Sequence, residues 1–101
     1  MAEYVEAMLL LLPPEAGGRS AHVEPRAGSY RPFVRAGQAT LRIRVIEGPP
    51  RLVPGDEARV VVEVEEDETF LRRGSELPLL ELGGREVGVL TVMRIWRGAV
   101  A

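Results

Sequence analysis

Two glutamates at strand spacing, Glu63 and Glu65, are an example of a carboxylate pair that could do acid–base chemistry. Paired carboxylates act as general acid and general base when burial separates their pKa values. Here the two alternate with valines, which is the pattern of a strand that turns one face to water. We therefore expect a solvated pair on an outer strand face and no catalytic residues.

His22 is the next residue with chemical potential, two positions after Ser20 in a polar segment. It is the sole histidine, and the chain has no cysteine, so the usual ligands of a zinc site are missing. A serine–histidine pair also needs a third group in a defined spatial arrangement, which closeness in sequence does not provide. The sequence predicts no metal, no cofactor and no nucleophilic catalysis.

The composition is typical of one small domain with an aliphatic core. The chain has 101 residues, of which 46% are hydrophobic but only 5% aromatic. A net charge of −2 argues against indiscriminate nucleic-acid binding. The apolar run at residues 8–12 is far shorter than the roughly 20 residues that span a bilayer, and the start lacks the basic region of a signal peptide. We expect a cytoplasmic protein with no membrane partner.

Proline, glycine and alternating apolar residues divide the chain into six strand-like segments. These are residues 2–12, 30–35, 38–46, 58–65, 77–82 and 86–96. The first is equally rich in helix formers, but Pro13-Pro14 ends it early, and its period-two pattern favours a strand. Residues 13–26 read as a long loop, and Pro54-Gly55-Asp56 and Gly83-Gly84 as tight turns. The pattern predicts an antiparallel barrel or sandwich, and closure is favoured because it removes strand edges.

Four landmarks in this order resemble the C-terminal domain (domain III) of elongation factor Tu. Glu15-Ala16-Gly17-Gly18-Arg19-Ser20 is similar to the family's acidic-Gly-Gly-Arg-His loop, and Gly28-Ser29-Tyr30-Arg31-Pro32 to its Gly-Tyr-Arg-Pro motif. Val53-Pro54-Gly55-Asp56 resembles its Met-Pro-Gly-Asp turn. The stretch from Leu77 to Gly88 resembles its last hairpin. The resemblance covers about residues 5 to 96 and implies one all-β domain over residues 1–101, a closed barrel of six antiparallel strands.

The resemblance also implies a binding role in translation. In that family the barrel helps to hold the T-stem of aminoacyl-tRNA, and it contacts the exchange factor and the GTPase domain. The sequence has no P-loop motif, and it contains no lysine, which that motif requires. We therefore expect no GTPase activity and no nucleotide as partner. The family's RNA- or partner-binding positions fall on Arg19, Ser20 (where the family has histidine), Gly83 and Arg85. Thr40 lies near the family's threonine-rich strand start.

At one position the charge is opposite in sign to that of the family. Where the family has a lysine before its last two strands, this chain has Asp67 within an acidic run. A carboxylate would repel a phosphate, which weakens the expectation of conventional tRNA binding.

All 13 basic residues are arginine, and they are unevenly distributed. Between residues 19 and 51 seven arginines, Arg26 among them, face two acids, whereas ten acids face four arginines from residue 56 to residue 86. One interpretation is a basic face for RNA, with Arg31, Arg42 and Arg44 as candidate partner-binding residues. The other is that the two halves neutralise each other across the sheet, because sequential strands usually pair.

The aromatic residues leave similar alternatives open. Tyr30 and Phe33 flank Arg31 and could form a platform for RNA, or they could plug a barrel end with Arg31 paired to a carboxylate. Trp96 could anchor a partner or cover the bottom of the barrel. Gly17-Gly18-Arg19 and Gly83-Gly84-Arg85 share three residues, which turns can share by chance.

The sequence supports two main hypotheses about function. The leading one is a non-enzymatic, translation-factor-like binding module that contacts tRNA, the ribosome or a translation protein, with or without a full-length elongation factor. The alternative is a structural or protein-interaction barrel without RNA binding, which could associate with itself through Met8, Leu10, Leu12 and Val61. A degenerate remnant without retained activity is a third interpretation.

Overall fold

Six strands with alternating aliphatic and polar residues close into an antiparallel β-barrel. The computed structural model describes residues 2–25, 30–65, 71–81 and 83–98. The strands are β1 (Ala2–Leu11), β2 (Phe33–Ala36), β3 (Ala39–Glu47), β4 (Glu57–Val64), β5 (Glu76–Glu81) and β6 (Arg85–Gly98). Their order around the barrel is β1-β4-β3-β2-β5-β6, and β6 pairs again with β1. Within these ranges no helix is long and apolar enough to cross a membrane.

The predicted fold class is confirmed, and the strand bounds differ from the predicted ones by a few residues at most. The first segment is a strand and not a helix, followed by a single 3-10 turn at Pro14–Ala16. The largest difference is at β2, which begins at Phe33. The preceding residues still run beside β3, because the amides of Ile43 and Val45 donate to the carbonyls of Pro32 and Tyr30.

The barrel interior is filled by aliphatic side chains from all six strands. On β1, residues Val5, Ala7, Leu9 and Leu11 are completely buried. The other fully enclosed side chains of the core are Val34, Ile43, Val45, Val60, Val62, Val64, Leu79, Val87, Leu90 and Val92. Burying each valine or leucine contributes about 1.5–3 kcal/mol, so this lining is the main stabilising force.

Val61 lies on the outer face of β4, as predicted, but the prediction that it is available for self-association is wrong. Its side chain is only 2% exposed, although it points away from the core cluster. Val61 pairs with Glu6 on β1 and with Glu47 on β3. Between Val45 and Glu47, β3 contains one extra residue that has no partner on β4, which is a β-bulge. A bulge bends its strand and increases the local twist. Flanked by strands on both sides, Val61 belongs to the packed wall, whereas Met8, Leu10 and Leu12 stay half-exposed.

Gly88, which lies inside the last strand, marks a close approach between β1 and β6. It pairs with Leu11 on β1 and with Leu79 on β5. A Cβ atom at this position would lie 2.4 Å from the carbonyl oxygen of Leu10. Only glycine therefore allows β1 and β6 to pair here without a backbone shift.

The alternation of inner and outer positions on β1 can be tested with neighbouring leucines. Leu9→Ala should lower the free energy of unfolding by about 2–5 kcal/mol, because it leaves a cavity in the enclosed core. Leu10→Ala, on the half-exposed outer face, should cost about 1 kcal/mol. Urea denaturation of both variants gives the comparison, and equal losses would contradict the inner and outer assignment.

Candidate functional site

The first Gly-Gly-Arg segment forms a tight loop at the end of β1. Gly17 has φ of 88° and donates its amide to the carbonyl of Pro14. Gly18 is buried, and a Cβ atom there would lie 1.9 Å from the carbonyl oxygen of Leu12. Since there is no room for a side chain at this position, only glycine allows the loop to fold back onto the residue that follows β1.

The second Gly-Gly-Arg segment forms the β5–β6 turn. The described strand pairing ends at Glu81 and Arg85, on either side of the predicted Gly83-Gly84 turn. The amide of Gly84 donates to the carbonyl of Glu81 at 2.9 Å, and Gly83 and Gly84 have φ of 87° and 80°. Leu82, the predicted end of the strand, lies outside the described residues.

The two segments hold each other, so their similarity has a structural consequence. The guanidinium of Arg85 donates to the carbonyl oxygens of Gly17, at 3.3 Å, and Gly18, at 2.5 Å. In return, the guanidinium of Arg19 forms an ion pair with Glu81 and donates to the carbonyl of Ala21 at 2.8 Å. We call this reciprocal set (Gly17, Gly18, Arg19, Glu81 and Arg85) the clasp.

Tyr30 completes the clasp from the side of β2. Its hydroxyl donates to Oε2 of Glu81 at 2.8 Å, the same oxygen that pairs with Arg19. The Arg19 guanidinium also lies 5.7 Å from the centroid of the Tyr30 ring. Burial raises the pKa of the Tyr30 hydroxyl, and the hydrogen bond to Glu81 raises it further. The hydroxyl is therefore held protonated as a donor.

An open groove of about 310 Å³ runs along the outer wall beside the clasp. Its lining residues are Phe33, Arg35, Thr40, Leu80, Glu81, Gly83 and Gly84. Phe33 and Arg35 share the outer face of β2, and Thr40 faces Arg35 from β3. The groove therefore combines an aromatic ring, a guanidinium, a hydroxyl and bare glycine backbone.

Charge within the groove is carried by one unpaired arginine. Arg35 is exposed and has no hydrogen-bond or ion-pair partner in the part of the chain that the structure describes. Glu81 is compensated by Arg19. The positions Gly83 and Gly84 have nothing within 4 Å of where a Cβ atom would stand, so their backbone is accessible to a ligand.

Three predicted partner-binding arginines are paired with acids of the same sheet. Arg44 contacts Glu63 at 3.0 Å, and Arg31 and Arg42 both contact Glu65 at 3.8 Å. The interpretation that the two halves of the chain neutralise each other is confirmed at these positions. Glu63 is accordingly a half-buried, ion-paired carboxylate and not the solvated group that the strand pattern predicted, because β3 and β4 stand side by side.

Arg42 also connects this wall to the groove. Its guanidinium lies 5.2 Å from the centroid of the Phe33 ring, which is within cation–π range. Tyr30 and Phe33 thus have different surroundings: Tyr30 belongs to the clasp, and Phe33 lines the groove.

Other predicted positions lie apart from the groove. Trp96 stacks on Tyr4 with ring centroids 5.9 Å apart, on the wall formed by β1 and β6. His22 contacts Glu24 at 3.6 Å, and no group of three metal-ligating side chains occurs among the described residues. Ser20 is exposed beside Arg19. Asp67, Arg26, Gly28 and Ser29 lie outside the described residues.

Arg35 and Glu81 are the two charged residues of the groove, and sequence reasoning missed both as site residues. Arg35 was only one of seven arginines in the basic segment, and Glu81 one of ten acids in the acidic segment. The available signal was local. Arg35 follows Phe33 at strand spacing, and Glu81 precedes the glycine turn that ends in Arg85.

No family model matches this sequence, and a search of curated proteins finds no match either.

The clasp predicts a delayed ionisation of tyrosine. Burial raises the pKa values of both Tyr4 and Tyr30, the only tyrosines of the chain. A raised folded-state pKa stabilises the protein below the unfolded value of about 10, and this contribution is lost as the pH rises above it. Tyrosinate absorbance of the native protein should therefore appear at higher pH than in denaturant. Coincident titration curves would contradict the clasp, and Tyr30→Phe should remove the delayed component due to Tyr30.

Proposed function

We propose that this chain is a non-enzymatic, translation-factor-like binding module that contacts RNA, tRNA in particular, through the groove beside the clasp. One observation carries the proposal. Gly83, which the resemblance assigns to the RNA-binding positions, lines the same groove as Thr40, which lies near the family's threonine-rich strand start, although the two residues lie on different hairpins. The unpaired Arg35 lies between them on β2.

The electrostatics around the groove favour a polyanion. Among the described residues, Arg85 bonds the carbonyl oxygens of Gly17 and Gly18 and no carboxylate. Arg35 likewise has no carboxylate partner in the described part of the chain, whereas Glu86 is an exposed acid beside Arg85. Phosphate groups are the natural complement of guanidinium groups that lack a carboxylate partner.

Arg19 and Arg85 have a supporting role in this proposal. Both guanidinium groups are engaged in the clasp, where they join the first loop to the β5–β6 turn. Their contribution is to hold the Gly83–Gly84 backbone in place beside the groove. Backbone amides and carbonyls without side chains allow the close approach of a ribose–phosphate chain.

The RNA contact can be tested with two matched arginine variants. Arg35→Ala should weaken the binding of labelled tRNA about tenfold at low salt, because it removes a charge-assisted phosphate contact, and it should reduce the salt slope by about one. Arg51→Ala removes the same charge from another exposed arginine that does not line the groove. Its effect should stay within about twofold. Fluorescence anisotropy gives both affinities, and undetectable tRNA binding by the native chain at low salt would overturn the proposal.

A second candidate function is that of a self-associating protein-interaction barrel. It is favoured by the apolar side chains exposed on the wall that β1 and β6 form. Met93 and Trp96 on β6 are 41% and 37% exposed, and Met8 and Leu10 on the neighbouring strand β1 are half-exposed. Exposed apolar side chains on one wall can form an interaction surface.

Light scattering distinguishes this candidate from the first. A homodimer that Trp96→Ser converts to a monomer, with no change when tRNA is added, would favour the interaction barrel. A monomer at every concentration would remove it.

A further inference from the structure

The groove is too small for a double helix and large enough for a single nucleotide. Its volume of about 310 Å³ lies at the lower end of the range for small-ligand sites, roughly 300–1,000 Å³. In an RNA duplex the bases are stacked inside, and a protein meets mainly 2′-hydroxyl groups and phosphates. A duplex would therefore rest on the rim of the groove, whereas an unpaired base could enter it.

An aromatic ring is available for such a base. Phe33 is half-buried and lines the groove, and the Arg42 guanidinium lies 5.2 Å from its ring centroid. A ring fixed in this way loses little freedom when a planar group packs against it. Stacking on aromatic side chains is a general way to bind unpaired bases, because every base has a flat face.

The polar groups of the groove suit the rest of a nucleotide. Arg35 has no partner among the described residues and stands two positions from Phe33 on the same strand face. Thr40, opposite Arg35 on β3, offers a hydroxyl. Glu81 is bonded to Arg19 and Tyr30 through Oε2 alone, and its Oε1 has no bond in the described part of the chain. An anion contact, a hydroxyl and an acceptor thus surround the ring.

We infer that the groove binds one unpaired nucleotide, with its base against the Phe33 ring and its phosphate on Arg35. This inference rests on the proposed function and narrows it: the chain recognises an unpaired segment of RNA, and not the double-stranded T-stem that the resemblance implies. Glu81 Oε1 accepts a hydrogen bond from the ribose or the base. The glycine turn leaves space for the RNA strand to continue beyond the groove.

The test compares three ligands by fluorescence anisotropy with the full chain: a labelled oligoadenylate, a labelled duplex of the same length, and unlabelled AMP as competitor. The oligoadenylate should bind at least about fivefold more tightly than the duplex. Phe33→Leu should weaken oligoadenylate binding about fivefold or more, since it removes the ring and keeps an apolar side chain. Phe33→Tyr, which retains the ring, should stay within about twofold of the native protein, and circular dichroism should show the same fold for both variants.

The outcomes separate this inference from the proposed function. Equal binding of oligoadenylate and duplex, with no effect of Phe33→Leu, would overturn the inference and leave RNA binding intact. Failure of both RNAs to bind would overturn the proposed function. Complete displacement of the oligoadenylate by AMP at comparable concentration would show that the groove binds a free nucleotide. The contacts assigned to base and phosphate would then stand, but RNA as the ligand would be overturned.

Discussion

Closure of the sheet between the first and last strands is the constraint on which the rest of the structure depends. β1 pairs with β6 from Ala2↔Gly98 to Leu11↔Gly88, so the barrel has no open edge. The pairing requires glycine at residue 88, where a Cβ atom would strike the β1 backbone. It also places the end of β1 beside the start of β6. The loop after β1 and the turn before β6 are thereby brought into contact, which makes the clasp geometrically available.

The clasp and the sheet together decide which arginines are available to a ligand. Arg19 and Arg85 join the two glycine segments, and the arginines of β3 are paired with Glu63 on β4 and with Glu65, the residue that follows β4. Arg35 remains as a guanidinium without a described partner, and it lies in the groove. A chain with a net charge of −2 can thus present a local positive site. Total charge is a poor guide to binding when ion pairs consume most of the charges within the wall.

Local sequence signals were sufficient for the strands and insufficient for the groove. Alternating apolar residues indicated the six strands, and prolines and glycines indicated where the strands end. Both signals are local, because each acts within a few residues. The burial of Val61 could not be predicted, since the residues that flank it on the neighbouring strands follow from the pairing register, which includes a one-residue bulge in β3. The clasp joins Arg19 to Glu81, which are 62 positions apart, and the groove takes residues from two hairpins. Such contacts depend on strand order and register, which no local pattern specifies. The resemblance directed attention to Gly83 and Thr40, but it could not indicate that Arg19 and Arg85 bind within the chain.

Mapping the RNA contact by nuclear magnetic resonance tests the central claim most directly. A titration of the isotope-labelled chain with a single-stranded oligonucleotide should shift the amide signals of Phe33, Arg35, Thr40, Gly83 and Gly84, which belong to the groove. Signals of the β1–β6 wall around Met93 and Trp96 should stay unchanged. Shifts confined to that wall, or no shifts at all at low salt, would contradict the account.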